Sequence, residues 1–301
     1  MDPAIIFFGL GIGLLVGMTG MGGASLMTPL LILVFGISPV TAIGTDIFYA
    51  AITKTVGGVQ HLRLKTVHRG LAFWLAVGSV PSALLGVWVI ELLQRRYGDD
   101  LDQLVLGMLG GALLVVGAAT LLRSVFLSHV IQERYAMHLY TRHIVAAVLI
   151  GMVTGFVIGL TSAGSGTLIA IALIAIFRLT PHRVVGTDIF HAAVLLWAAG
   201  IAHWIGGNVD FVLAGNILIG SIPGVLLGGL LAVRVPQGFL RTALAVVLIA
   251  AGTTLIVDEG TPAVVLPAVI VAGLMVGALF AAQIITTRGV RARAGPATQQ
   301  R

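Results

Sequence analysis

The octapeptide GTDIFYAA at residues 44–51 returns, with one change, as GTDIFHAA at residues 186–193. Each copy sets an acid, Asp46 or Asp188, among residues that otherwise suit lipid. The two copies are the densest part of a longer match. A shift of 142 residues aligns 9–86 with 151–228 without a gap and gives 28 identities in 78 positions. Among them are Gly9/Gly151, Gly13/Gly155, Gly17/Gly159, Thr19/Thr161, Gly22/Gly164, Pro39/Pro181, Gly58/Gly200 and His61/His203. Shared hydrophobicity alone does not give that many identities, so the chain carries an internal repeat.

Of the 301 residues, 58% are hydrophobic and only 9% are charged. A soluble domain carries roughly 25% charged residues. So few charges could not coat a water-facing surface, and several apolar runs reach the roughly 20 residues that cross a bilayer as a helix. The composition implies a polytopic helical membrane protein. With no cysteine, disulfides, thiolate metal sites and cysteine nucleophiles are excluded. The apolar N-terminus has Asp2 in place of a basic region and no small-residue cleavage site, so it reads as mature protein rather than a signal peptide.

Apolar segments fall at 3–18, 24–36, 40–60, 70–91, 103–122, 143–160, 165–177, 183–204, 211–232, 238–257 and 262–287. Segments 24–36 and 165–177 are too short to span at about 1.5 Å per residue. Each follows a glycine-rich break, GMTGMGG (17–23) or GLTSAGSG (159–166). A break followed by a half-length helix predicts a re-entrant hairpin. The first repeat is then 1–122, with hairpin 3–36 and helices 40–60, 70–91 and 103–122. Residues 123–142 form a linker. The second repeat is 143–257, with hairpin 143–177 and helices 183–204, 211–232 and 238–257. Residues 258–301 supply one extra transmembrane helix and a basic tail.

This scheme puts fourteen of the seventeen Lys/Arg residues on the side of the C-terminus. The positive-inside rule makes that side cytoplasmic, in the cell (inner) membrane. The net charge of +6 is then loop charge beside a membrane, and a nucleic-acid partner is not expected. Three crossings lie between the copies. An odd number turns the second copy over, giving inverted-topology repeats, an architecture of secondary transporters with sites at mid-membrane.

The breaks set up the chemistry. Helices starting there point unpaired N–H groups and a positive dipole end at the membrane middle, which suits an anion. Thr19, Ser25, Thr161, Ser162, Ser165 and Thr167 offer hydroxyls, and glycines such as Gly22 and Gly23 admit a ligand to the backbone. Ionisable groups at depth face a cavity or a partner. Lys54 has no basic counterpart, since position 196 is leucine. It either binds the substrate anion or pairs with Asp188 across the repeat axis. Asp46 and Asp188 are candidates for coupling or charge pairing, and His191, which replaces Tyr49, is a further site candidate. His61 and His203 end matching helices and read as interfacial. No metal or cofactor is expected.

The stretches GLLVGMTGMGGASLMTPLLILVFGISPVTAIGTD, GGVQHLRLKTVHRG and GSVPSALLG, with GFVIGLTSAGSGTLIAIALIAIFRLTPHRVVGTD, GIAHWIGGNVDF and GSIPGVLLGG in the second copy, resemble the sulfite exporter TauE/SafE family. The same family is called the 4-toluene sulfonate uptake permease group. The resemblance spans most of 5–285. It implies an inner-membrane transporter, not an enzyme, moving small sulfur-containing anions such as sulfite or organosulfonates. Many members carry serine where Asp46 and Asp188 stand here, and the second break, SAGSG, is poorer in glycine than is usual. The expected function is a secondary carrier working by alternating access, with proton coupling and export as its expected features. The expected partners are the anion and the bilayer, and a homodimer is compatible with this reading. An anion channel is the first alternative. An intramembrane hydrolase built on Ser165 with His191 or His203 is a weaker one.

Overall fold

The computed structural model describes residues 2–19, 24–97, 101–126, 140–164, 166–231 and 237–257. They form α1 (Pro3–Thr19), α2 (Ala24–Phe35), α3 (Pro39–Arg63), α4 (Arg69–Tyr97), α5 (Leu101–Phe126), α6 (Thr141–Thr161), α7 (Thr167–Ala175), α8 (Pro181–Ile205), α9 (Phe211–Leu231) and α10 (Gln237–Val257). The expected last helix at 262–287, the basic tail and most of the 123–142 linker lie outside the described residues.

Among the described residues, α4, α5, α6, α8, α9 and α10 are long and apolar enough to cross a membrane. α3 has 25 residues but carries Asp46 and Lys54. α2, with 12 residues, and α7, with nine, reach only about 18 Å and 14 Å, against a hydrocarbon core of about 30 Å. Outer faces expose Phe7, Val56, Phe73, Val115, Val153, Leu226 and Leu230. Such a surface suits lipid, and the chain is a multi-pass membrane protein.

Equivalent local signals build equivalent elements. Pro39 and Pro181 open α3 and α8, where a missing N–H costs nothing. The turns after α2 and α7 repeat bond for bond. Gly36 N–H donates to the Ile32 carbonyl and Ile37 N–H to that of Leu31, while Arg178 N–H donates to Ile174 and Leu179 N–H to Leu173. The turn needs a left-handed residue, φ +62° at Gly36 and +52° at Arg178. Only the first copy spends a glycine there.

Helices pair between the halves of the chain rather than within them. α1 lies along α9 and α6 along α4, close enough for backbones to touch. A Cβ at Gly9, Gly13 or Gly17 would run into Ile217, Ser221 or Val225, and one at Gly220, Gly224 or Gly228 into Ile6, Leu10 or Leu14. The second pair repeats this, with Gly151, Gly155 and Gly159 against Leu75, Ser79 and Ala83. Small residues at every fourth place permit this approach, and dispersion between backbones replaces the hydrophobic drive that lipid removes.

The other two pairs join equivalent helices. Gly58 of α3 touches Phe190 of α8, and Gly200 of α8 touches Phe48 of α3. The same order of contacts shows that α3 and α8 run antiparallel. α5 and α10 do likewise, with Gly110 against Gly252 and Ile256, and Gly117 against Ala245 and Ile249. Thr55 and Trp197, which are 142 apart, bond each other directly, the indole N–H donating to the hydroxyl at 2.8 Å.

The octapeptide is largely explained by this packing. Gly44 lets α3 meet the Asn208 backbone, and Gly186 lets α8 meet Thr66. Thr45 Oγ1 accepts the Asp210 N–H at 3.0 Å, and Thr187 Oγ1 accepts the His68 N–H at 2.9 Å. Asp210 and His68 in turn cap α9 and α4 by accepting the N–H of Leu213 and Leu71. Each threonine therefore holds the capping residue that starts a helix of the opposite half.

Two outcomes are expected. Gly13→Val and Gly155→Val lower the melting temperature of purified protein or abolish folding, because overpacking costs about 1–3 kcal/mol or more. Gly11→Val and Gly107→Val, where nothing lies within 4 Å, leave it unchanged. Thr45→Val and Thr187→Val each cost about 0.5–1.5 kcal/mol by removing a part-buried hydrogen bond, and thermal denaturation reads nearly equal losses for the two.

Candidate functional site

The start of α2 and the end of α6 meet inside the molecule. α6 ends at Ser162, whose φ of +58° turns the chain out of the helix and toward α3. Ser162 Oγ donates to Asp46 Oδ2 at 2.7 Å. Thr28 Oγ1, one turn into α2, donates to the same oxygen at 2.6 Å. Asp46 thereby ties the short helix of its own half to the break of the other. Its Oδ1 is buried with no hydrogen-bond partner among the described residues. Ser25, near the start of α2, accepts the Gly164 N–H at 3.1 Å, and Thr161 Oγ1 accepts the Ala163 N–H at 3.2 Å. Thr167 opens α7. Ser25, Thr28, Asp46, Thr161, Ser162 and Thr167 are all buried.

The charged groups gather nearby and are not arranged symmetrically. Lys54 and Asp188 are both buried. Asp188 exerts the stronger electrostatic pull on Lys54, and Asp46 the weaker one. The positions equivalent to Thr28 and Ser162 are Ala170 and Gly20, so those two places carry no hydroxyl in the other copy. His191 is buried, senses the Lys54 charge, and its Nε2 lies 2.7 Å from Ser79 Oγ on α4. In the other half Tyr49 hydrogen-bonds Ser221 of α9. Because phenol and imidazole fill equivalent places, the Ser79–His191 contact reads as a helix tie rather than a nucleophile with its base.

Of the residues singled out from sequence, the structure brings Ser25, Asp46, Thr161, Ser162 and Thr167 to one junction, with Lys54, Asp188 and His191 on the adjoining helices. Gly22, Gly23, Ser165 and the Thr19 side chain lie outside the described residues. His203 departs from the interfacial reading. It is fully buried, and its Nε2–H donates at 3.2 Å to the Gly159 carbonyl, in the last turn of α6 where carbonyls lose intrahelical partners. Thr28 and Ser79 were not foreseen. Thr28 sits three residues after Ser25, hence on the same face of α2, and that spacing is the signal that could have found it.

The family described as sulfite exporter TauE/SafE matches residues 5–255. The chain is 42% identical over 257 residues to the probable membrane transporter protein YjnA of Bacillus subtilis, covering 85% of this chain and 100% of that one. It is 29% identical over 238 residues to the probable membrane transporter protein YdhB of the same organism, covering 77% and 91%. It is 35% identical over 86 residues to sulfite exporter TauE/SafE family protein 2 of Arabidopsis thaliana, covering 29% and 19%. No solved structure matches. The chain belongs to the TauE/SafE family of membrane transporters.

Proposed function

We propose that the protein is a secondary carrier that moves a small sulfur-containing anion, such as sulfite or an organosulfonate, across the cell membrane by alternating access. One observation carries this reading: the start of α2 from one half and the end of α6 from the other meet at a buried junction lined by hydroxyls, with Lys54 on the adjoining helix. Equivalent helices that run antiparallel enter a bilayer from opposite faces, which supports inverted repeats at 1–122 and 143–257. The lengths of α2 and α7 support re-entrant hairpins at 3–36 and 143–177. The Lys/Arg bias supports a cytoplasmic C-terminus in the inner membrane. The sulfur-containing substrate and the export direction rest on the family's description.

In this reading Ser25, Thr161, Ser162 and Thr167, with Thr19, Gly22, Gly23 and Ser165 of the breaks, offer hydroxyl and amide donors to the anion. Lys54 supplies the fixed positive charge and His191 a further polar contact. Asp46 and Asp188 serve coupling or charge pairing. Site sharing between halves favours a carrier over a channel, because rocking one half against the other exposes the junction to each face in turn.

The test is a thermal-shift panel of sulfite, thiosulfate, taurine and sulfoacetate on purified protein. At least one should raise the melting temperature by mass action. Lys54→Ala should weaken that ligand about ten- to a hundredfold, as loss of a charge-assisted contact does. Stabilisation by none of the four overturns the substrate class. Unchanged affinity in a folded Lys54→Ala protein removes the role given to Lys54.

A further inference from the structure

We propose that Asp46 and the transported anion use the same hydroxyl donors, so that one proton binds Asp46 for each anion seated at the junction. The inference rests on the anion-carrier reading and assigns the two acids different tasks. Asp46 is the proton site, and Asp188 is the counter-ion of Lys54.

The donors decide it. A hydroxyl has one proton and can donate it to one acceptor at a time. The Ser162 and Thr28 protons are both committed to Asp46 Oδ2, at 2.7 Å and 2.6 Å. An anion arriving at the break must take those donors from Asp46 or go without them. It must also sit beside a buried carboxylate, and two like charges at one water-poor site disfavour each other. A proton removes both obstacles. It forms an O–H bond at Oδ1, the oxygen that is buried with no partner among the described residues. The neutral acid's Oδ2 is a weaker acceptor than the carboxylate's, so the anion can win the two hydroxyl protons, and the acid repels nothing and offers its new O–H to the anion. The proton enters from the open aqueous side with the anion and leaves Oδ1 when the anion departs on the other, so one proton travels with each anion.

The surroundings of the two acids separate their roles. Of the two acids, Asp188 exerts the stronger pull on Lys54, which makes it the counter-ion of that ammonium in this assignment. Asp46 has the weaker share of Lys54, and the places equivalent to its two hydroxyls are Ala170 and Gly20. The titratable groups around Asp46 are few. Lys54 and Tyr49 share its helix, with His61 and Arg63 at the far end, and α8 carries Asp188, His191 and His203, with His182 and Arg183 in its first turn. α2, α7 and α9 carry none, and α5 has only Asp102 at its first turn among its described side chains.

The experiment is thiosulfate binding to the purified full-length protein between about pH 5.5 and 8, a range over which thiosulfate keeps its charge. One linked proton predicts that affinity falls about tenfold for each pH unit above the Asp46 midpoint. Binding in weak buffer should take up one proton per thiosulfate. Asp46→Asn, a fixed neutral amide, should bind as the wild type does at its acid limit, without pH dependence. Asp188→Asn should change affinity through Lys54 but keep the pH slope. Wild-type binding that is independent of pH, or a slope retained in Asp46→Asn, overturns the inference and leaves the carrier reading standing. The proton-uptake measurement needs no variant, so misfolding of Asp46→Asn does not protect the proposal. Absence of thiosulfate binding at every pH overturns this inference, and failure of the remaining panel anions as well overturns the anion-carrier reading beneath it.

Discussion

The backbone contact of α1 with α9, and of α6 with α4, is the constraint on which the rest of the architecture depends. Each half lends its first helix to the other, so neither half contains the surface that its own first helix needs. In lipid there is no hydrophobic gain from hiding a leucine, and two helices stay together through close, extensive dispersion contact. Glycine at 9, 13 and 17 and at 220, 224 and 228 brings carbonyls within reach of the facing helix. The same ladder recurs at 151, 155 and 159. Once those pairs are set, the start of α2 and the end of α6 lie together, and Asp46 bonds to both.

Seen this way, the repeated octapeptide has two layers. Gly44, Thr45 and Phe48 do the same work as Gly186, Thr187 and Phe190: close approach, support of a distant helix cap, and packing on the glycine of the antiparallel partner. The two acids differ. Asp46 accepts two hydroxyl bonds and Asp188 keeps company with Lys54. An identical motif thus serves symmetric packing, while its surroundings divide the chemistry.

Much of this was legible in the residues. The repeat offset, helix bounds to within a few residues, and the short helices after each break follow from spacing and length alone. The hydroxyls of Ser25 and Thr167 at helix starts, and of Thr161 and Ser162 at the end of α6, drew notice because they flank glycine-rich breaks. What sequence could not supply was partner choice. Periodicity says that α1 has a small-residue face but not that the face belongs to α9, since contacts across a 142-residue offset leave no local trace. For the same reason His203 looked interfacial. Its partner, the Gly159 carbonyl, is visible only once α6 and α8 are side by side. Thr28 was overlooked because a threonine in an apolar helix usually satisfies itself on the preceding turn.

The central claim is that equivalent positions of the two halves face opposite sides of the membrane while their breaks share one interior. The chain contains no cysteine, so single-cysteine labelling tests this directly. Arg63 and Ile205 are equivalent, 142 residues apart, and both exposed. A membrane-impermeant maleimide should label Ile205→Cys in intact cells and Arg63→Cys only in inside-out vesicles. Labelling of both from the same face would contradict the account.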